Sequence, residues 1–82
     1  MKQEMINQIT GQIINLNQNN NSIVLLNNGI GFDIKANLKT ITSLKRNQEA
    51  TLHISTVFRE TGILLYGFLS QAEKEIFEKV IQ

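Results

Sequence analysis

The chemistry open to this sequence is narrow. It holds one histidine, His53, and no cysteine. Thiolate nucleophiles, disulfides and thiolate metal sites are therefore excluded, and a zinc site lacks donors. Nothing in the spacing of serine, histidine and acidic residues sets up a triad around His53. It reads as a surface or half-buried strand residue. No G-x-x-x-x-G-K-[ST] segment is present, so a P-loop NTPase is excluded, and neither is H-E-x-x-H. Gly29-Ile30-Gly31 is a fragment of a glycine-rich phosphate loop without the helix that must follow, and a hairpin turn explains it better. Glu73, Glu75 and Glu78 alternate with Lys74 and Lys79 and read as a solvated, lysine-paired helix face. What remains is polyanion binding and stacking. Lys35, Lys39, Lys45 and Arg46 form a basic segment with no acid among them, and they are candidate phosphate contacts. On charge alone, a solvated loop with lysines for solubility is the commoner use of such a segment. Tyr66 and Phe68 stand at alternate positions, where they could stack on bases or fill a core; the core is the commoner use.

The composition bounds the rest. The chain has 82 residues, a formal net charge of +1, 41% hydrophobic and 18% charged residues. One domain with a small core fits that length. A charge of +1 does not mark a strong polyanion binder. No stretch approaches the ~18 apolar residues of a membrane span. Met1 to Glu4 lead into no apolar signal region. Together with the absence of cysteine, this gives a cytoplasmic expectation. Asparagines punctuate the apolar runs, as at Asn19-Asn20-Asn21, and read as turns.

The elements that must position these residues follow from periodicity. Met5 to Leu16 reads as a long strand, bent or bulged near Gly11. Asn17 to Asn21 is a turn, and Ser22 to Leu26 a short strand. Asn27-Asn28-Gly29 is a hairpin signal, with Gly31 to Lys35 as the return strand. Asn37 to Asn47 is a loop or a short helical turn. Gln48 to Arg59 alternates, with Ala50, Leu52, Ile54, Thr56 and Phe58 on one face. Glu60-Thr61-Gly62 is a tight turn, and Ile63 to Phe68 the partner strand. Leu65 and Phe68 are expected in the core beside Leu52 and Ile54. Ser70 and Glu73 form a capping box that opens a helix. Glu75 and Lys79 are spaced to pair, and Ile76, Phe77, Val80 and Ile81 make an apolar stripe. The expectation is a mainly β domain. It is a five-stranded barrel of OB-fold type followed by a C-terminal helix, with an SH3-like barrel as the alternative. Residues 1–4 are an N-terminal extension, 5–69 the barrel and 70–82 the helix.

Read together, Met5-Ile6, Gly29-Ile30-Gly31-Phe32-Asp33-Ile34, Gln48-Glu49-Ala50 and Arg59-Glu60-Thr61-Gly62-Ile63-Leu64-Leu65-Tyr66-Gly67-Phe68 resemble the RuvA family. This family comprises the Holliday-junction subunits of the bacterial branch-migration complex. The last block is the most specific, and the helix from Glu73 to Ile81 matches as well. The resemblance covers Met5 to Gln82. In the family, a domain with two helix-hairpin-helix motifs follows this helix, and a third domain docks the RuvB ATPase.

The resemblance implies an OB-fold domain that assembles around a fourfold axis as a homotetrameric platform for four-way junction DNA. It implies no cofactor, metal or catalytic residue in this subunit, since ATP hydrolysis belongs to RuvB. RuvC resolvase joins the full complex, and the process is recombination and DNA repair within the SOS response to DNA damage. Arg59, Glu60 and Thr61 would lie in the hairpin called the acidic pin. There Glu60 matches the first of two acids, Thr61 replaces the second, and Gly62 replaces the small residue after it. Asn7 stands where the family usually has glycine. Three readings follow: a non-catalytic junction-binding subunit, an oligomerisation module, and a generic single-strand-binding OB domain.

Overall fold

The computed structural model describes residues 6–80. Residues 1–5, and Ile81 at the end of the expected apolar stripe, lie outside the described residues. The order is β1 (Gln8–Asn17), β2 (Ser22–Asn27), β3 (Ile30–Lys35), α1 (Leu38–Ser43), β4 (Glu49–Arg59), β5 (Gly62–Phe68) and α2 (Gln71–Val80). The strands close into a barrel in the order β1-β2-β3-β5-β4. All seams are antiparallel except β3–β5, which is parallel. This is the OB-fold: five strands, a short helix between the third and fourth, and β1 shared between two neighbours.

The turns explain the register. β1 ends where Asn17 Oδ1 accepts from the backbone N–H of Asn20 at 3.2 Å, and Asn21 takes a positive φ of 52°. Asn28 and Gly29 have φ of 52° and 81°, the pair a type I′ hairpin needs. They join β2 to β3 with Asn27 opposite Ile30. Asn37 caps α1, its Oδ1 accepting from Thr40 N–H at 2.8 Å.

The core is branched aliphatic. Ile9, Ile13, Ile23, Leu25, Ile34, Leu52 and Ile54 are buried inside the barrel, with Ile41 and Leu44 plugging it from α1 and the loop after it. Burial of each such side chain is worth about 1.5–3 kcal/mol. Leu65 and Phe32 pack against this cluster from partly buried positions. Gly67 lets β5 approach closely: a Cβ there would lie 2.7 Å from Ile34 Cγ2 and 3.3 Å from Leu52 Cδ1.

Three expectations change. The β1 irregularity falls between Ile13 and Asn15, not at Gly11. Gly11 serves a different need, because a Cβ there would collide with the carbonyl of Leu26 on β2. Phe58 shares the inward face of β4 but is 55% exposed, because the strand runs past the end of the barrel. Phe68 is buried, yet three residues from Leu65 it faces outward, under α2.

Candidate nucleic-acid interface

The β4–β5 hairpin projects from one end of the barrel. Its ladder runs from His53 opposite Phe68 to Arg59 opposite Gly62. Glu60 and Thr61 form the loop, and Gly62 takes a φ of 144° that side chains rarely adopt. Arg59, Glu60 and Thr61 are all exposed. Below them, Phe58 and Ile63 stand opposite each other with 55% and 62% of their surfaces open. The tip is thus a charged cap on an apolar collar.

The basic residues sit elsewhere. Lys39 is exposed on α1, and Lys45 and Arg46 are exposed in the loop before β4. The Lys45 N–H donates to Gln48 Oε1 at 2.9 Å, which fixes that loop. β4 carries 11 residues. At ~3.3 Å per residue, its start and its tip lie about 30 Å apart along the strand. The structure therefore separates Lys39, Lys45 and Arg46 from Arg59, Glu60 and Thr61. Lys35 belongs to neither group. It ends β3, half-buried, directly opposite Tyr66 on β5.

α2 covers the outer face of β4 and β5. Phe77 packs on Tyr66 and Phe68, with ring centroids at 4.9 and 5.1 Å. Such pairs add about 0.5–1.5 kcal/mol beyond the area they bury. The helix opens on Ser70, whose Oγ accepts from Glu73 N–H at 3.2 Å and donates to Glu73 Oε1 at 3.4 Å. The expected solvated face is corrected. Lys74 is only 3% exposed and donates to Asn7 Oδ1, while Glu78 Oε2 accepts from Ser55 Oγ at 2.9 Å. Glu75 accepts from Gln71 Nε2 at 3.4 Å. The apolar stripe is split: Phe77 turns to the barrel, whereas Ile76 and Val80 are 63% and 76% exposed. The reason is that the barrel face beneath α2 offers Ser55 and Asn7 as well as aromatic rings, so a polar helix face docks there.

Between the β1–β2 loop, the end of β3 and α2 lies an open groove of about 390 Å³. Asn20, Asn21, Lys35, Asn37, Tyr66 and Phe77 line it. Sequence reasoning weighed Tyr66 and Lys35 separately and missed that strand pairing sets them side by side. His53 is half-buried on β4 with Nδ1 unpartnered among the described residues. Those residues hold no cluster of His, Cys, Asp and Glu that would bind a metal. They also hold no helix long and apolar enough to cross a membrane.

Comparison with known proteins agrees with this architecture. The family model "RuvA N terminal domain" matches residues 5–67. A protein of Legionella pneumophila strain Philadelphia 1, named Holliday junction branch migration complex subunit RuvA, is 40% identical over 79 residues. That match covers 95% of this chain and 39% of the Legionella protein. The subunits of the same name from Lactobacillus gasseri and Trichlorobacter lovleyi are 48% and 38% identical, over 72% and 94% of this chain. The chain spans only 30% and 38% of their lengths. A match over residues 5–67, on a closed five-stranded barrel, shows that this chain belongs to the RuvA N-terminal domain family, whose relatives are Holliday-junction branch-migration subunits.

Proposed function

We propose that this chain is the junction-facing domain of a non-catalytic subunit that holds four-way DNA while a RuvB-type ATPase drives branch migration. On this reading four copies form the platform, and a RuvC-type resolvase acts on the same assembly. The setting is recombination and repair in the cytoplasm. The observation that carries it is the exposed Arg59-Glu60-Thr61 tip, held away from the basic residues on a hairpin that outruns the barrel. An acid at such a tip repels phosphate, and the cations elsewhere attract it. That division suits a surface that orients DNA strands without gripping them at one point. Lys39, Lys45 and Arg46 are the proposed phosphate contacts at the far end.

The test is titration of this chain with four-way, duplex and single-stranded DNA at two salt concentrations. Net charge of +1 gives few phosphate contacts, so weak binding is expected. The logarithm of the affinity should fall by about 0.9 per contact for each decade of salt. A preference for the four-way form supports the reading; equal affinity for all three sinks it.

A second reading has its own support. The open Phe58–Ile63 collar is an apolar surface that assembly would cover. A chain that self-associates but binds none of the three DNAs is an oligomerisation module.

A further inference from the structure

The groove between the β1–β2 loop and α2 carries three kinds of group that do not occur together by necessity of folding. Tyr66 and Phe77 provide aromatic surface at its floor. Tyr66 is half-buried, and its hydroxyl has no hydrogen-bond partner among the described residues. Lys35 stands beside it in register, and its ammonium has no ion-pair partner among the described residues. At the rim, Asn20 and Asn21 are exposed. Their backbones are spoken for, since Asn20 N–H donates to Asn17 Oδ1 and the Asn21 carbonyl accepts from Ala36 N–H at 2.9 Å. Their side-chain amides have no hydrogen-bond partner among the described residues. Asn37 is committed, because its Oδ1 caps α1. A barrel needs none of these unengaged groups to converge here.

We infer that this groove receives one unpaired nucleotide of a DNA strand. The base packs on the exposed parts of the Tyr66 and Phe77 rings, the Asn20 and Asn21 amides meet its polar edge, and Lys35 pairs with the phosphate. Each assignment follows from chemistry. An aromatic floor accepts any base face, an amide both donates and accepts, and an ammonium meets a phosphate oxygen. The volume of about 390 Å³ lies in the range of sites that take small ligands. The groove is separate from the Glu60 tip, so it engages a strand that has left the crossover. The inference rests on the reading of this chain as a DNA-binding domain.

The chain makes its own reporter: it has one tyrosine and no tryptophan, so tyrosine emission reads Tyr66 alone. The experiment is NMR titration of the 82-residue chain with a short oligothymidylate, thymidine 5′-monophosphate and inorganic phosphate, with tyrosine emission followed in parallel. Oligothymidylate is expected to shift the ring resonances of Tyr66 and Phe77 and the side-chain amides of Asn20 and Asn21, and to quench the emission. Two variants leave the fold in place. Lys35→Gln removes the charge, and Asn21→Gly removes the amide at a φ glycine accepts. Lys35→Gln should weaken oligothymidylate about tenfold, the loss of one charge-assisted contact. Asn21→Gly should weaken it less, and in the base rather than the phosphate. If inorganic phosphate alone reproduces every shift, the groove is an anion site and the base reading is overturned. If DNA shifts the hairpin tip or the Lys45–Arg46 loop while the groove stays silent, the groove reading fails and DNA binding survives. If no DNA shifts any resonance, both fail.

Discussion

The ammonium of Lys74, near the middle of α2, donates to the side-chain oxygen of Asn7, just ahead of β1, at 2.5 Å and 67 positions away in sequence. With Ser55 donating to Glu78 and Phe77 lying on Tyr66 and Phe68, it fixes the helix on the barrel. A buried ammonium that loses an acceptor bears a desolvation cost of about 1–3 kcal/mol. Asn7→Ala should therefore lower the melting temperature by several degrees, since about 1 kcal/mol corresponds to ~4–8 °C in a domain of this size. Lys74→Met removes the charge together with the need to satisfy it and should cost less than Asn7→Ala, or nothing. Thermal melts of the two variants read the difference. A larger loss for Lys74→Met would mean that the ammonium is a net source of stability.

Core truncation should grade with depth. Ile54 is wholly buried, while Leu65 packs on the same cluster from a partly exposed position. Ile54→Ala should cost about 2–5 kcal/mol, a large share of the ~5–15 kcal/mol available to a small domain. Leu65→Ala should cost clearly less. Urea unfolding of both variants checks the order, and equal midpoints would show that the barrel collapses around either gap.

Glu60 is the only acid of its hairpin tip. Its field reaches about a Debye length, ~8 Å at physiological salt. In a protein that carries the rest of the subunit, Glu60→Gln should leave junction affinity unchanged or tighten it, while altering migration driven by the partner ATPase. Thr61→Asp should push in the opposite direction. Binding titrations at two salt concentrations, with a migration assay, decide the matter. A several-fold weakening by Glu60→Gln would make it a direct contact instead.

The Phe58–Ile63 collar should drive self-association. Sedimentation of the chain at rising concentration is expected to show oligomers, with tetramers as the limit. Ile63→Thr keeps a β-branched residue on the strand and removes apolar surface, so it should shift the distribution toward monomer. A strict monomer at high concentration would leave the collar to some other partner.

Much of this was legible in the residues. The Asn28–Gly29 turn, the alternation of Gln48 to Arg59 and the serine cap at Ser70 are local signals, and strands and helix formed where they pointed. The barrel's closure was legible only as a count of strands. Harder to read was what depends on two distant segments at once. Nothing local distinguishes Gly11, set against the backbone of Leu26, from a glycine at a bulge. Lys74 reads as a solvated lysine until Asn7 is brought beneath it. Lys35 and Tyr66 each carry a weak signal, and only the parallel pairing of β3 with β5 makes them neighbours. The tip residues Arg59, Glu60 and Thr61 gave a turn from their types alone; their distance from the basic loop needed the length of β4 and the end at which it stops.

The parallel seam carries a consequence for how the barrel comes together in time. The ladders β1–β2, β2–β3 and β4–β5 join strands adjacent in the chain, but β3 meets β5 through only two register pairs, Ile34 with Leu65 and Lys35 with Tyr66. Non-local contacts form only after loop-closure entropy has been overcome, so a three-stranded meander and a hairpin assemble first and then join across the two non-local seams, β1–β4 and β3–β5. The same seam is the shortest ladder in the ring, and its amides should exchange with solvent through openings that leave the β4–β5 ladder intact. Lys35 and Tyr66 lie on it. A groove built across the shortest ladder in the ring is one whose occupant, on binding, also bolts the barrel.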